Sequence, residues 1–126
     1  MKFKNYWPVV LWAVVIFGLH IMPSDRIPKP PDWSFSVDKV VHFFLFAGLS
    51  FLMLRYRHLK QGRWDGMMIF AIVVFASLYG VLMEAVQLAV PGREFNLVDL
   101  VADVLGALAG NFIYVRFVKL KKGLGQ

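Results

Sequence analysis

The sequence predicts an all-α fold, a single domain over 1–126 in which a bundle of four helices crosses a membrane. Three observations carry this. Four apolar runs each approach the roughly 20 residues that a hydrocarbon core requires. Apolar residues fill 59% of the 126 positions, with a mean hydropathy of +0.61, more than a soluble core of this size needs. Lysine and arginine gather at alternate connections between the runs, as they do when loops lie on opposite sides of a bilayer. There is no cysteine, which excludes disulfides and thiolate metal sites and leaves His, Asp and Glu as the metal-binding residue types. The formal charge of +6 is read as orienting the chain in the membrane, with no nucleic-acid partner.

The first run, Tyr6 to Met22, follows Lys2 and Lys4 as a signal peptide would begin. It is longer than a typical h-region and leads to no small-x-small cleavage site, so it is expected to stay as the first span. The connection 23–36 holds four of the six prolines, Pro23, Pro28, Pro30 and Pro31. Their fixed φ angles and missing donors predict an extended, stiff segment, with Trp33 and Phe35 suited to the interface. Val37 to Leu54 is the second span. Both are short, so their ends are expected in the headgroup region or in a locally thinned bilayer. The third span is Gly66 to Val90 and the fourth Leu97 to Val118, joined by a turn from Pro91 to Phe95. In the fourth, Gly106 and Gly110 make a GALAG pattern, extended by Ala102, Ala107 and Ala109, that suits close packing inside the bundle better than a dimer seam.

Charge sets the orientation. Lys2, Lys4, Arg55, Arg57, Lys60, Arg63, Arg116, Lys119, Lys121 and Lys122 fall on one side, ten in all, against Arg26, Lys29, Lys39 and Arg93 on the other, four in all. Both termini are therefore expected in the cytoplasm of a bacterial cell, with the protein in the inner membrane.

Within the spans the polar residues form stripes. Asp38 and His42 are four apart with Lys39 between them, Glu84 and Gln87 are three apart, and Asp99 and Asp103 are four apart, so each pair shares a helical face. At 1.5 Å per residue all three stripes lie in the outer half of the membrane. Glu84 and Asp103, charged and facing lipid near the centre, would together cost about 5 to 7 kcal/mol. The spacing therefore predicts that the stripes face one another around an outward polar pocket between the second, third and fourth spans, with Arg93 over its opening.

Plainer roles compete. Asn96 followed three residues later by Asp99 is close to a capping box, so Asp99 serves as cap or as site residue, and Asp38 after Ser36 poses the same choice. Lys39 and Arg93 suit interfacial snorkelling. His42, Glu84 and Asp103 lie too deep for capping, and for them the competitor is a structural network. Gln87 and Asn111 suit inter-helix hydrogen bonding. His20 and His58 stand alone and receive no role.

The segments DKVVHFFLFAGLSF (Asp38 to Phe51) and YGVLMEAVQLAVPGREFNLVDLVADVLGALAG (Tyr79 to Gly110) carry D-K-x-x-H, E-x-x-Q-x-x-x-P-G-R and D-x-x-x-D-x-x-G on successive spans. Together these motifs resemble the VanZ-like family of small bacterial membrane proteins. The resemblance implies a four-helix membrane protein and a link to glycopeptide, chiefly teicoplanin, resistance. Its motif positions here are Asp38, Lys39, His42, Glu84, Gln87, Arg93, Asp99 and Asp103.

The function expected first is binding or processing of a lipid-linked or cell-envelope substrate, such as a lipid-linked cell-wall precursor, in contact with membrane lipid. As an enzyme it would be a metal-assisted hydrolase or transferase on a lipid headgroup. His42, Glu84 and Asp103 are its candidate catalytic residues, and Lys39, Gln87 and Arg93 its candidate substrate-binding residues. Asp38, His42, Glu84, Asp99 and Asp103 are candidate ligands for a divalent metal. No HExxH, nucleophile elbow or phosphate loop is present. The alternatives are a structural or interaction protein whose polar network only specifies helix packing, and a small ion or lipid transporter.

Overall fold

The computed structural model describes residues 6–23, 25 and 37–125. Lys2, Lys4, Arg26, Lys29 and the expected features at Pro28, Pro30, Pro31, Trp33 and Phe35 lie outside the described residues. Among the described residues four helices form: α1 (Trp7–His20), α2 (Val37–Gln61), α3 (Gly66–Gln87) and α4 (Leu97–Leu124). Three of them, α2, α3 and α4, are long and apolar enough to cross a membrane. The first expected span is shorter than the sequence suggested. α1 has 14 residues, about 21 Å at 1.5 Å per residue, because the helix closes at His20 and Pro23 bars its continuation.

At the other end α2 and α4 outrun their expected limits and reach Gln61 and Leu124. Arg55, Arg57 and Lys60 on α2, and Lys119, Lys121 and Lys122 on α4, are good helix formers, and no breaker interrupts them before Gly62, whose φ is +73°. The helices therefore carry their basic residues beyond the apolar core instead of handing them to loops.

The central pair is α2 and α4, which pack on each other more extensively than any other two helices. Small residues make this possible. A side chain at Gly106 would run into the Phe43 carbonyl, and one at Gly110 into the Ala47 carbonyl and the Ser50 hydroxyl, so the backbones meet where no Cβ intervenes. Ser50 Oγ donates to the Ala107 carbonyl at 2.7 Å across the same seam. The GALAG stripe is thus used inside the bundle. α2 and α4 run in the same direction, since Phe43 meets Gly106, Ala47 meets Gly110 and, further along, His58 meets Tyr114. α1 and α3 run oppositely to both.

Along its length α1 is fastened by the polar atoms of Trp12 and Tyr79. Trp12 Nε1 donates to the Leu45 carbonyl at 2.7 Å, and Tyr79 Oη on α3 donates to the Ala13 carbonyl at 2.7 Å. Ile16, Phe46, Leu49, Ala76, Met83 and Ala107 fill the core between the four helices. The large apolar side chains left outside, among them Phe44, Phe70, Leu78 and Phe112, ring the bundle as a lipid-facing belt.

The turn from α3 to α4 is tight. Leu88 to Val90 continue in short turns, and Val90-Pro91-Gly92-Arg93 then reverses the chain, closed by the Arg93 N–H donating to the Val90 carbonyl at 3.2 Å. Pro91 presets the second position, and Gly92, with φ +74°, supplies the left-handed third position that a type II turn requires. Alternating direction and this short turn bring the end of α1, the start of α2, the end of α3 and the start of α4 to one end of the bundle.

Candidate functional site

Ionisable side chains from all four helices meet at that end. Asp103, one turn into α4 from Asp99, is wholly buried, and its Oδ1 accepts a 2.8 Å hydrogen bond from His42 Nδ1 on α2. Room for the carboxylate comes from Gly80 on α3, where a Cβ would stand 2.8 Å from Asp103 Oδ2. Glu84 is also wholly buried, with Oε1 3.9 Å from His42 Nδ1. On the other side of the imidazole, Asp99 Oδ2 lies 3.8 Å from His42 Nε2. His42 is therefore surrounded by three carboxylates, each from the expected stripe of its helix.

Lys39 supplies the counter-charge. Its Nζ is 2.9 Å from Asp99 Oδ1 and 3.8 Å from Asp38 Oδ2. Asp38 is exposed, so the ion pairs grade from the open start of α2 to the buried His42. Among the described residues, three buried carboxylates (Glu84, Asp99 and Asp103) and the exposed Asp38 stand against one lysine, which makes the cluster acidic. Burying such an excess is stable only when each charge finds a proton, a cation or strong donors.

At the start of α4 the capping acid is not Asp99. Asn96 is the N-cap, and its Oδ1 accepts from the Val98 N–H at 2.9 Å. In a capping box the acid three residues on would bind the Asn96 N–H. Here Glu84 takes that place from α3, with Oε2 accepting the Asn96 N–H at 3.0 Å. Glu84 was expected to lie too deep for capping. The tight turn folds the start of α4 back over it, and the exchange leaves Asp99 free to pair with Lys39.

Arg93 turns to α1. Its Nε donates to the Met22 carbonyl at 3.2 Å and Nη2 to the Leu19 carbonyl at 3.4 Å, so it satisfies the open carbonyls at that helix end. Gln87 is buried one turn beyond Glu84. Asn111 lies deeper, with Nδ2 donating to the Ile69 carbonyl at 3.4 Å.

The residue that sequence reasoning passed over is His20. It is buried at the end of α1, and its ring stands edge-on to that of His42 with centroids 5.0 Å apart. Its Nδ1 donates to the Ile16 carbonyl at 2.7 Å. The available signal was depth: His20 ends the first apolar run at the level where His42, Glu84 and Asp103 stand in theirs. The metal-ligand candidates divide accordingly. One ligand atom each from His20, His42 and Glu84 lie mutually within 4.8 Å, as do ligand atoms from Asp38, His42 and Asp99. Asp103 is in neither group and instead holds His42.

Helices long enough to span, an outer belt of apolar side chains and a polar cluster at one end define a polytopic helical membrane protein. The chain belongs to the VanZ/LLP1 family, whose model matches residues 3–119. No curated protein and no solved structure matches it.

Proposed function

We propose that this VanZ-like protein binds and processes a lipid-linked cell-envelope substrate at the polar end of the bundle. The observation that carries the reading is the His42–Asp103 pair, buried at 2.8 Å beside Glu84 and Asp99, with Lys39 at the open margin. With no ion on Nε2, an imidazole oriented by a carboxylate is suited to taking a proton from a hydroxyl or a water and returning it. Lys39 suits the phosphate of a lipid-linked headgroup, and the acidic interior suits its hydroxyl or amine groups. Arg93 contributes by holding α1 against the cluster. In this proposal the polar end faces outward, because the described basic residues from Arg55 to Arg63 and from Arg116 to Lys122 lie at the opposite end, which then faces the cytoplasm. A headgroup at the outer leaflet agrees with the glycopeptide, chiefly teicoplanin, resistance that the family resemblance implies.

The test is retention of a short-chain isoprenyl pyrophosphate by purified protein in detergent with chelator present, followed by native mass spectrometry. Lys39→Ala is expected to weaken retention at least tenfold, while Lys60→Ala at the opposite end leaves it as in the wild type. Equal retention by both variants would remove the cluster from headgroup binding.

A second reading, that the network only fixes helix packing, is favoured by the Glu84 to Asn96 bond, which ties α3 to α4. Glu84→Gln separates the two readings. It keeps an acceptor for the Asn96 N–H and removes the charge, so the packing reading expects unchanged stability and unchanged headgroup retention. The processing reading expects retention or turnover to fall at similar stability.

A further inference from the structure

Two buried acceptors and the outer nitrogen of His42 converge inside the bundle, and among the described residues the two acceptors have no donor. His20 donates through Nδ1 to a carbonyl, which can only accept, so its Nε2 carries a lone pair. Neutral His42, donating through Nδ1 to Asp103, keeps a lone pair on Nε2, which stands 3.8 Å from Asp99 Oδ2. Glu84 gives Oε2 to the Asn96 N–H and keeps Oε1. His20 Nε2 and Glu84 Oε1 are buried and have no hydrogen-bond partner among the described residues, in side chains of residues that are 2% and 0% exposed. Leaving such acceptors unpaired in an apolar interior is costly. The nearby cations among the described residues are engaged elsewhere: Lys39 with Asp99 and Asp38, Arg93 with the end of α1.

We propose that His20, His42 and Glu84 hold a divalent transition-metal ion of the zinc type, joining α1, α2 and α3 at the polar end of the bundle. Two imidazoles and one carboxylate are a ligand set that suits zinc, and three protein ligands leave a fourth position for water or a substrate oxygen. Each imidazole is held by its other nitrogen, His20 by the Ile16 carbonyl and His42 by Asp103. Such outer partners fix the tautomer and ring orientation of a metal-bound histidine. Asp103 is a positioning residue in this arrangement and not a ligand. The ligand atoms stand within 4.8 Å of one another, whereas zinc bonds of about 2.0 to 2.2 Å need them roughly 3.3 Å apart, so on binding the side chains and the helix ends that carry them close by at most about 1.5 Å. His20 sits at the end of a short helix held by a few side-chain bonds, which makes α1 the element that moves.

The proposal goes beyond headgroup binding, whose assay is run in chelator, so either can fail without the other. Purified full-length protein in detergent is stripped with chelator and titrated with Zn²⁺ by calorimetry. The wild type is expected to take up one ion per chain, and His20→Gln to bind at least a hundredfold more weakly. Asp103→Asn, which changes the partner of a ligand and not a ligand, is expected to lose about ten- to a hundredfold. Wild-type protein that binds no zinc, or His20→Gln that binds it as tightly as the wild type, would overturn the assignment. So would binding lost on Asp38→Asn and kept by His20→Gln, which would move the ion to the Asp38, His42 and Asp99 group. Co²⁺ added to the wild type gives a measurement independent of variant folding. A strong visible band of a four-coordinate nitrogen-containing site supports the proposal, and the weak spectrum of an octahedral oxygen-ligated ion refutes it.

Discussion

The bundle has a histidine hydrogen bond between α2 and α4 near each end, and the two are built for different purposes. At one end His42 meets Asp103 at 2.8 Å, with Glu84 and Asp99 beside it and His20 edge-on to its ring. At the other, His58 Nδ1 meets Tyr114 Oη at 2.8 Å, with Trp64 edge-on at 4.5 Å and Phe51 packed on Tyr114 at 5.1 Å. The distances are alike, but the surroundings are opposite. His58 lies among aromatic rings, with Lys122 above the Trp64 ring at 5.9 Å, an arrangement that anchors helix ends at a basic interface. His42 lies among buried carboxylates with too few donors among the described residues. Packing alone accounts for the first arrangement. The second concentrates unsatisfied polarity in an apolar interior, which is expected where a protein handles a proton, an ion or a headgroup.

That contrast can be broken at its common root. Gly106→Leu places a side chain on the Phe43 carbonyl and wedges α2 from α4, on whose contact both histidine pairs depend. The expected loss is about 3 kcal/mol or more, measured as unfolding in detergent, with headgroup retention lost as well. A stable Gly106→Leu protein would mean that the two helices do not approach this closely.

Asp103→Ala acts on the polar end alone. It leaves a buried imidazole without its acceptor and opens a gap beside Gly80, and an expected cost of about 1 to 3 kcal/mol would accompany loss of function. Tyr114→Phe is the matching change at the aromatic end. It removes one interhelical hydrogen bond and keeps the ring, so the expected cost is about 0.6 kcal/mol, with headgroup retention unchanged. If thermal unfolding gave Tyr114→Phe the larger effect, or if it impaired headgroup retention, the functional distinction between the ends would collapse.

Much of the polar end was legible before folding. Asp38, Lys39, His42, Glu84, Asp99 and Asp103 share faces and depths through spacing alone, because a helix converts sequence separation into angle and height. The small residues at 106 and 110 announced a close helix contact for the same reason. What spacing along one helix leaves open is which neighbour each face meets, and there the expectations thinned. His20 looked solitary because its partners lie on α2 and α3, and its place beside His42 follows from how α1 is docked by Trp12 and Tyr79. Arg93 looked free to cover an opening, yet it serves the carbonyls at the end of α1 that become reachable once the α3–α4 turn is formed.

Sequence by itself determined the helices, their apolar faces and the level of the ionisable groups, because these depend on local periodicity and on the cost of charge in lipid. Tertiary structure alone decided the partners. The carboxylate that binds the first amide of α4 comes from α3 and not from α4, so Glu84 does the work expected of Asp99, and Asp99 is released to Lys39. An unpaired N–H donates to whichever carboxylate the fold brings within reach, and reach in space is not a property of spacing along the chain.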